Sequence, residues 1–211
     1  MVDGVNPPPQ GREQARTRLA RRAVVDAARE LFIERGYATT TIAAISGRAG
    51  VPEPTVYRLF SSKVGILKVV LDIAIAGDDQ PIAVSDRAGV TSLFDEADPR
   101  SVLAGFAAIT TQINLRTNDL YHVLTRASDS DAEAAALLDE LCQQRSRGQT
   151  QIVRALHRRG TLRGGLKLID AADIVHALMS PEVYRLLVVD RGWTAERYQQ
   201  WAAGLLVQQL T

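Results

Sequence analysis

The sequence predicts an all-α protein of about nine helices, in which an N-terminal three-helix domain precedes a larger helical domain. Three observations favour this fold class. Alanine and leucine are abundant, apolar residues recur at helical spacing, and the alternation typical of strands is scarce. The 211 residues suffice for one mid-sized domain, or for a small module joined to a larger one.

The composition is that of an ordinary globular protein, with 46% hydrophobic and 23% charged residues. No apolar run approaches the roughly 20 residues of a membrane helix, so we expect no membrane partner. The N-terminus lacks the apolar segment of a secretory signal, and the single cysteine, Cys142, cannot form an internal disulfide. A cytoplasmic protein is therefore expected. Residues 1–11 are predicted to form a disordered tail.

The first predicted helix ends at Gly36, a natural stop. Its apolar face follows the i, i+3, i+4, i+7, i+8 spacing and consists of Val24, Ala27, Ala28, Leu31 and Phe32. Thr41 can cap a second helix of about two turns, which Gly50 ends.

A third helix is predicted to start near Glu53. Pro54 lies in its first turn, where the missing N–H removes no helical bond, and Pro52 forces the residue before it into extended geometry. Two short helices joined by a turn at Gly50 form a helix-turn-helix. We assign this domain to residues 12–63 and the second domain to residues 64–211.

Later helices are predicted from their capping residues. Residues 77–98 have the composition of a loop, and Pro181 is expected to kink the helix that contains it. The predicted caps are Ser61 or Ser62, Asp98, Asn118 or Asp119, Asp131, Asp170 and Thr194.

Positive charge is concentrated at the start of the chain. The net charge is +1 overall, yet residues 10–63 hold ten basic and five acidic residues. This asymmetry favours a polyanionic partner, although a solvated helix face explains it equally well. The first basic residues could follow a DNA backbone or minor groove, or could be a solvated helical start. They are Arg12, Arg16, Arg18, Arg21 and Arg22.

A helix-turn-helix places its second helix in the major groove, with N-terminal side chains near base edges. Thr55 could reach a base or phosphate, Pro54 a thymine methyl and Glu53 cytosine N4. Tyr57 offers a hydroxyl, and Lys63 adds a charge at a helix start that already favours anions. Alternatively, the three helices are a small scaffold in which Tyr57 packs and Lys63 is solvated.

The segment AARELFIERGYATTTIAAISGRAGVPEPTVYRLFSSKVGILKVVL resembles the DNA-binding segment of the TetR family. It covers about the first third of the chain. The resemblance implies a transcriptional regulator whose DNA contacts include Thr41, Thr55, Tyr57 and Lys63. Glu53 and Pro54 would lie at the recognition surface, where Arg58 also faces outward. The landmarks are Ala28, Leu31, Phe32, Gly36, Tyr37, Thr41, Ile45, Ala49, Gly50, Val51, Thr55, Tyr57, Phe60, Lys63 and Leu67.

Three positions depart from the family pattern. Pro52 stands where Ser or Thr often caps the third helix, and Leu59 stands where His is usual. Ser46 replaces a common Ala, which we expect to change only packing. The first two departures make the preferred DNA sequence unpredictable.

The C-terminal segments SPEVYRLLV and RGWTAERYQQWAAGLL are similar to dimer-forming segments of such regulators. Two such helices meeting their symmetry mates would form a four-helix interface. Alternatively, their apolar stripes face the core of the same protomer. The candidate interface residues are Leu178, Tyr184, Leu187, Tyr198, Trp201 and Leu205.

Residues of the second domain could also line a small-molecule cavity, because they mix apolar with polar side chains. The candidates are Phe106, Ile109, Thr110, Ile113, Asn114, His122 and Thr125. The three histidines are scattered, so we expect no metal site. We find no nucleophile–base set and no phosphate loop, so we expect neither an enzyme nor a cofactor.

The sequence thus predicts a homodimeric repressor that a small molecule releases from a palindromic operator in double-stranded DNA. The alternative is a structural protein that binds DNA without regard to sequence. The effector, the operator and the regulated genes do not follow from the sequence.

Overall fold

The computed structural model describes residues 9–80 and 82–211, and every regular element in these ranges is helical. The all-α prediction is confirmed. A π-helical segment, Arg185–Asp190, extends α8, and helical turns at Val84–Asp86, Ala88–Thr91 and Ser92–Phe94 lie between α4 and α5. The helices are α1 Pro9–Arg35, α2 Ile42–Ala49, α3 Glu53–Phe60, α4 Lys63–Ala76, α5 Pro99–Ser128, α6 Ala132–Arg158, α7 Leu168–Leu178, α8 Pro181–Tyr184 and α9 Ala195–Leu210.

Most helices begin at the predicted cap. Thr41 accepts a hydrogen bond from Ala44 N at 3.1 Å, and Ser62, rather than Ser61, accepts one from Gly65 N at 3.0 Å. The predicted caps at the starts of α5, α6 and α9 likewise accept bonds from first-turn N–H groups, because a short polar side chain can reach them there. These residues are Asp98, Asp131 and Thr194.

Three predicted features are wrong. Helix α5 continues through Asn118 and Asp119 without a break, because buried residues on either side extend one apolar stripe. Helix α7 starts at Leu168, so Asp170 lies in the first turn rather than at the cap. Pro181 does not kink a helix but starts α8, where the Ser180 hydroxyl accepts from Val183 N at 3.1 Å.

The N-terminal predictions fall partly outside the described residues. Residues 1–8 of the predicted tail and the Arg12 side chain lie outside them, whereas residues 9–11 already belong to α1. The remaining basic residues of this region, Arg16, Arg18, Arg21 and Arg22, are exposed on α1. Over the described part, the basic segment is therefore a helical start and not an extended arm.

The hydrophobic core has two clusters, and the first includes residues on both sides of the predicted boundary at residue 64. This cluster contains residues from the first four helices, α1, α2, α3 and α4. It also contains Leu120 and Leu124 near the end of α5 and Leu137 near the start of α6. The second cluster contains the other ends of α5 and α6 together with α7, α8 and α9. Within the described ranges, no helix combines the length and apolarity needed to cross a bilayer.

Candidate nucleic-acid interface and ligand cavity

Helix α3 presents most of its polar side chains to solvent. Glu53, Pro54, Tyr57 and Arg58 are exposed, with Tyr57 exposed by 50%, while Thr55 is half-buried. The opposite face is buried through Val56 and Phe60, and Leu59 packs against the same cluster. The core therefore holds one face of α3, while the opposite face is exposed and could enter a DNA groove.

The turn before α3 is fixed by local hydrogen bonds. Gly50 adopts the left-handed conformation at φ 64°, which favours glycine, and its N–H donates to Ser46 O. The Ser46 hydroxyl donates to Val51 O at 2.6 Å, so this serine ties the turn to α2 and does more than change packing. Pro52 caps α3 without a side-chain acceptor, as expected, and its carbonyl accepts from Thr55 N at 2.8 Å.

The other two predicted contact residues already have partners. Exposed Thr41 uses its hydroxyl oxygen as the α2 cap, which leaves its O–H free to donate. Half-buried Lys63 donates from Nζ to Tyr37 O at 2.9 Å and lies 4.0 Å from the centre of the Tyr37 ring. Burial lowers the pKa of Lys63. A phosphate would therefore share this ammonium group with the α1–α2 loop.

Side chains outside the predicted contact set join this region to α6. The Tyr37 hydroxyl donates to Asp131 Oδ2 at 3.1 Å, at the cap of α6. Lys68 of α4 forms an ion pair with Glu140 of α6 at 2.7 Å. Motion of α6 relative to α4 would therefore disturb both of these contacts.

A cavity of roughly 390 Å³ lies beside α4, α5 and α6, within the size range of small-molecule sites. Leu71 and Ile75 of α4 contribute to its wall. Five predicted residues also line it, namely Phe106, Ile109, Thr110, Ile113 and Asn114. That these residues touch a ligand stays a prediction.

Two of the residues predicted to line the cavity do not. Thr125 is exposed, and its hydroxyl donates to Tyr121 O at 2.9 Å. His122 is half-buried beside Arg126 and Arg185, and its pKa is lowered first by burial and then by these cations. On the continuous helix α5, His122 is turned by about 100° from Tyr121, which lines the cavity, and Thr125 lies one turn beyond Tyr121, past the end of the wall.

A chain of polar side chains runs from α6 to α7 at the cavity wall. Arg145 Nη2 lies 3.2 Å from His176 Nε2, and His176 Nδ1 lies 2.9 Å from Gln149 Oε1. Both Arg145 and Gln149 line the cavity. The sequence analysis missed all three, because their proximity depends on how α6 and α7 pack.

Arg116 of α5 connects the cavity wall to α4. Its Nε donates to Ala74 O at 2.8 Å, and its Nη2 donates to Ile75 O at 3.0 Å. These carbonyls belong to the last turn of α4, where a cation is favoured. Cavity residues Asn114 and Thr117 flank Arg116 on the same helix, so changes at the wall can reach α4 directly.

The predicted dimer surface is only partly available. Tyr184 and Tyr198 are 1% and 0% exposed and form an edge-to-face pair at 5.0 Å, so they pack in the protomer core instead. The other candidates, Leu178, Leu187, Trp201 and Leu205, are half-buried. Leu186 and Val189, which were not predicted, lie on the π-helical segment and are 53% and 47% exposed.

Sequence comparison finds relatives through the DNA-binding region. A model of the family described as bacterial regulatory proteins, tetR family, matches residues 24–70. Residues 24–70 therefore carry the TetR-family DNA-binding region. The HTH-type transcriptional regulator YvkB of Bacillus subtilis strain 168 is 35% identical over 54 residues, which span 26% of this chain and 29% of YvkB.

Solved structures share the fold of this chain over most of its length. FadR from Bacillus subtilis, in complex with stearoyl-CoA, has a TM-score of 0.69 and 19% identity, covering 90% of this chain and 98% of FadR. A transcriptional regulator from Saccharomonospora viridis, in complex with choline, has a TM-score of 0.68 and 18% identity, covering 90% and 97%.

The pair of buried tyrosines, Tyr184 and Tyr198, gives a matched prediction. The Tyr198 hydroxyl donates to Leu178 O at 3.0 Å, whereas the Tyr184 hydroxyl is buried with no hydrogen-bond partner among the described residues. We expect Tyr198→Phe to lower the free energy of unfolding by about 1–2 kcal/mol. Tyr184→Phe should leave it unchanged or slightly higher. Urea denaturation measures both, and equal losses would contradict the assigned contacts.

The pKa of His176 predicts how stability depends on pH. Burial lowers this pKa, Arg145 lowers it further, and Glu182 and Asp173 oppose them. The unfolded chain therefore binds the proton more readily, and the folded protein loses stability as pH falls below about 6.5. His176→Gln should reduce this loss in urea titrations at several pH values. The exposed His157, changed to Gln, should not.

Proposed function

We propose that the protein is a homodimeric repressor that binds a palindromic operator and is released from it by a small molecule. Each protomer would insert α3 into the major groove of one half-site, with centres about 34–36 Å or a multiple of that apart. The exposed face of α3, held from behind by Val56 and Phe60, is the observation that carries this proposal.

The ligand response is supported by the position of α4. This helix begins at Lys63 beside Tyr37, contributes Leu71 and Ile75 to the cavity wall, and ends at carbonyls held by Arg116. A ligand that fits one orientation of α4 better than another would shift the population of protomer arrangements. One such arrangement would no longer match the half-site spacing.

Dimerisation is supported by the apolar surface of α8, its π-helical extension and α9. Leu186 and Val189 are exposed there next to half-buried Leu187 and Trp201. A symmetric pair of such surfaces would form one isologous interface. Two copies related in this way would present two copies of α3 to a two-fold symmetric operator.

The proposal is tested by selecting DNA sequences that bind the purified chain from a random pool, followed by footprinting. Recovery of a palindrome with two protected half-sites supports it. Uniform affinity for all sequences would instead favour the structural DNA-binding alternative. Substitution of Thr55 or Pro54 should change which palindrome is recovered, because these residues lie at the start of α3.

Lys63 provides a quantitative prediction for the operator complex. Lys63→Met should weaken binding to every sequence and reduce the slope of log affinity against log salt by about 0.9, because one phosphate contact is lost. Lys68→Met is the matched control, since Lys68 pairs with Glu140 away from α3. Thermal melting of Lys63→Met, compared with that of Lys68→Met, measures the stability that is lost with the contact between Lys63 and Tyr37. An unchanged salt slope for Lys63→Met would show that this lysine does not hold a phosphate.

A further inference from the structure

In the described part of the chain, the buried unpaired polar atoms of the cavity lining are all hydrogen-bond donors. Four buried atoms of its lining residues have no hydrogen-bond partner among the described residues, and all four are nitrogens that donate: Asn114 Nδ2, Gln149 Nε2, Arg145 Nε and Arg145 Nη1. Asn114 and Gln149 are each only 4% exposed. An unmatched buried donor is costly, so these groups favour a partner that accepts hydrogen bonds.

The orientation of the Gln149 amide follows from its neighbours. A guanidinium group only donates, so His176 Nε2, 3.2 Å from Arg145 Nη2, must be the accepting nitrogen of a neutral ring. His176 Nδ1 then carries the proton and donates to the group 2.9 Å away, which must be the oxygen of Gln149. The remaining atom of this amide, Nε2, is therefore a fixed donor at the cavity wall.

The charged side chains that line the cavity are positive, which also favours a ligand that accepts hydrogen bonds. Arg145 and Arg147 line the cavity, and no Asp or Glu does so among the residues that the structure describes. The nearest carboxylate to Arg145 is that of Glu182, at 3.8 Å, on a side chain that is 62% exposed and already accepts from Tyr121 at 3.2 Å. Arg145 is thus only weakly neutralised.

The side of the cavity formed by α4 and α5 is largely apolar. Leu71 and Ile75 of α4 and Phe106, Ile109 and Ile113 of α5 line it. A ligand that satisfied the donors would therefore also place hydrocarbon against these side chains, where burial is favourable. Solved neighbours hold stearoyl-CoA and choline, whose charges differ in sign, so the ligand class must be decided by the residues of this cavity.

We propose that the effector is a small amphiphilic anion with a carboxylate head group. The carboxylate accepts hydrogen bonds from Gln149 and Arg145, while its hydrocarbon part packs on the apolar side of the cavity. This inference rests on the proposed ligand response and specifies the chemistry of its site.

The test uses three probes with the same hydrocarbon chain, decanoate, 1-decanol and decyltrimethylammonium, titrated calorimetrically into the 211-residue chain. We expect decanoate to bind at least about tenfold more tightly than either other probe, since charge-assisted bonds to a carboxylate are the stronger ones. Equal or tighter binding of the alcohol or the ammonium compound, or no binding of any probe, would overturn the proposal.

A variant reverses the preference without removing the support for His176. Gln149→Glu keeps an oxygen for His176 Nδ1–H and replaces the donor with a second oxygen. Decanoate affinity should fall at least about tenfold, and decyltrimethylammonium affinity should rise. Gln143→Glu is the control with the same charge change on α6, at an exposed position outside the cavity, and should bind decanoate as the parent does. Retained decanoate affinity in Gln149→Glu would contradict the assigned contact.

Failure of this inference and failure of the proposed function have different signatures. Selection of a palindrome together with a preference for the alcohol or ammonium probe would leave the regulator intact and refute the ligand class. Decanoate binding without a preferred DNA sequence would support the ligand class and refute the repressor.

Discussion

Replacing Leu124 by Ala is expected to lower the free energy of unfolding by about 3–4 kcal/mol. The side chain is fully buried in the first core cluster, where its removal leaves a cavity among residues of both predicted domains. Urea denaturation followed by circular dichroism measures the loss. Leu115→Ala is the matched control on the same helix, because Leu115 is 51% exposed and should cost less than about 0.5 kcal/mol.

The same substitution tests whether the two parts of the chain unfold together. Both tryptophans, Trp193 and Trp201, pack against the second cluster, so their fluorescence reports on a region distant from the DNA-binding helices. Because α5 and α6 contribute to both clusters, we expect fluorescence and circular dichroism to give the same midpoint in the parent and in Leu124→Ala. Separate midpoints would show that the N-terminal helices unfold independently.

Replacing Arg116 by Met is expected to lower the free energy of unfolding by about 2–3 kcal/mol. The change removes two charge-assisted bonds to the last turn of α4, at Ala74 O and Ile75 O, while keeping an apolar stem of similar length. Amide exchange in this turn should become faster in the variant. Arg126→Met is the control, since Arg126 is exposed on the same helix.

The outcome for Arg116 bears on how a ligand would act. If Arg116 holds α4 against the cavity wall, its loss should also weaken the effect of any ligand on DNA affinity. Unchanged stability and unchanged exchange in Arg116→Met would show that α4 is held by its apolar contacts alone. In that case Leu71 and Ile75, which line the cavity, would be the remaining route from ligand to α4.

The DNA-binding region could be predicted closely because its determinants are local. Thr41, Gly50 and Ser62 act through residues at most four or five positions away, so their roles are visible in a short window of sequence. Even here one local contact was missed. Ser46 was expected to change only packing, but its hydroxyl donates a hydrogen bond to Val51 O.

Five of the seven predicted ligand-binding residues line the cavity, because they share a face of α5; they are Phe106, Ile109, Thr110, Ile113 and Asn114. His122 and Thr125 lie after Asn118, where a new helix was expected. Because α5 instead continues, His122 is turned away from the wall, and Thr125 lies one turn beyond Tyr121, the last residue of α5 that lines the cavity. That any of the seven binds a ligand stays a prediction.

The amino-acid sequence by itself determined the helical class, most helix starts and the helix-turn-helix, since these depend on short-range periodicity and capping. Only the tertiary structure decided which aromatic residues are core, how α4 is tied to α5, and that Arg145, Gln149 and His176 meet at one wall. The last two outcomes join residues 27 to 42 positions apart in the sequence, and the packing angles that bring them together are encoded by no local pattern.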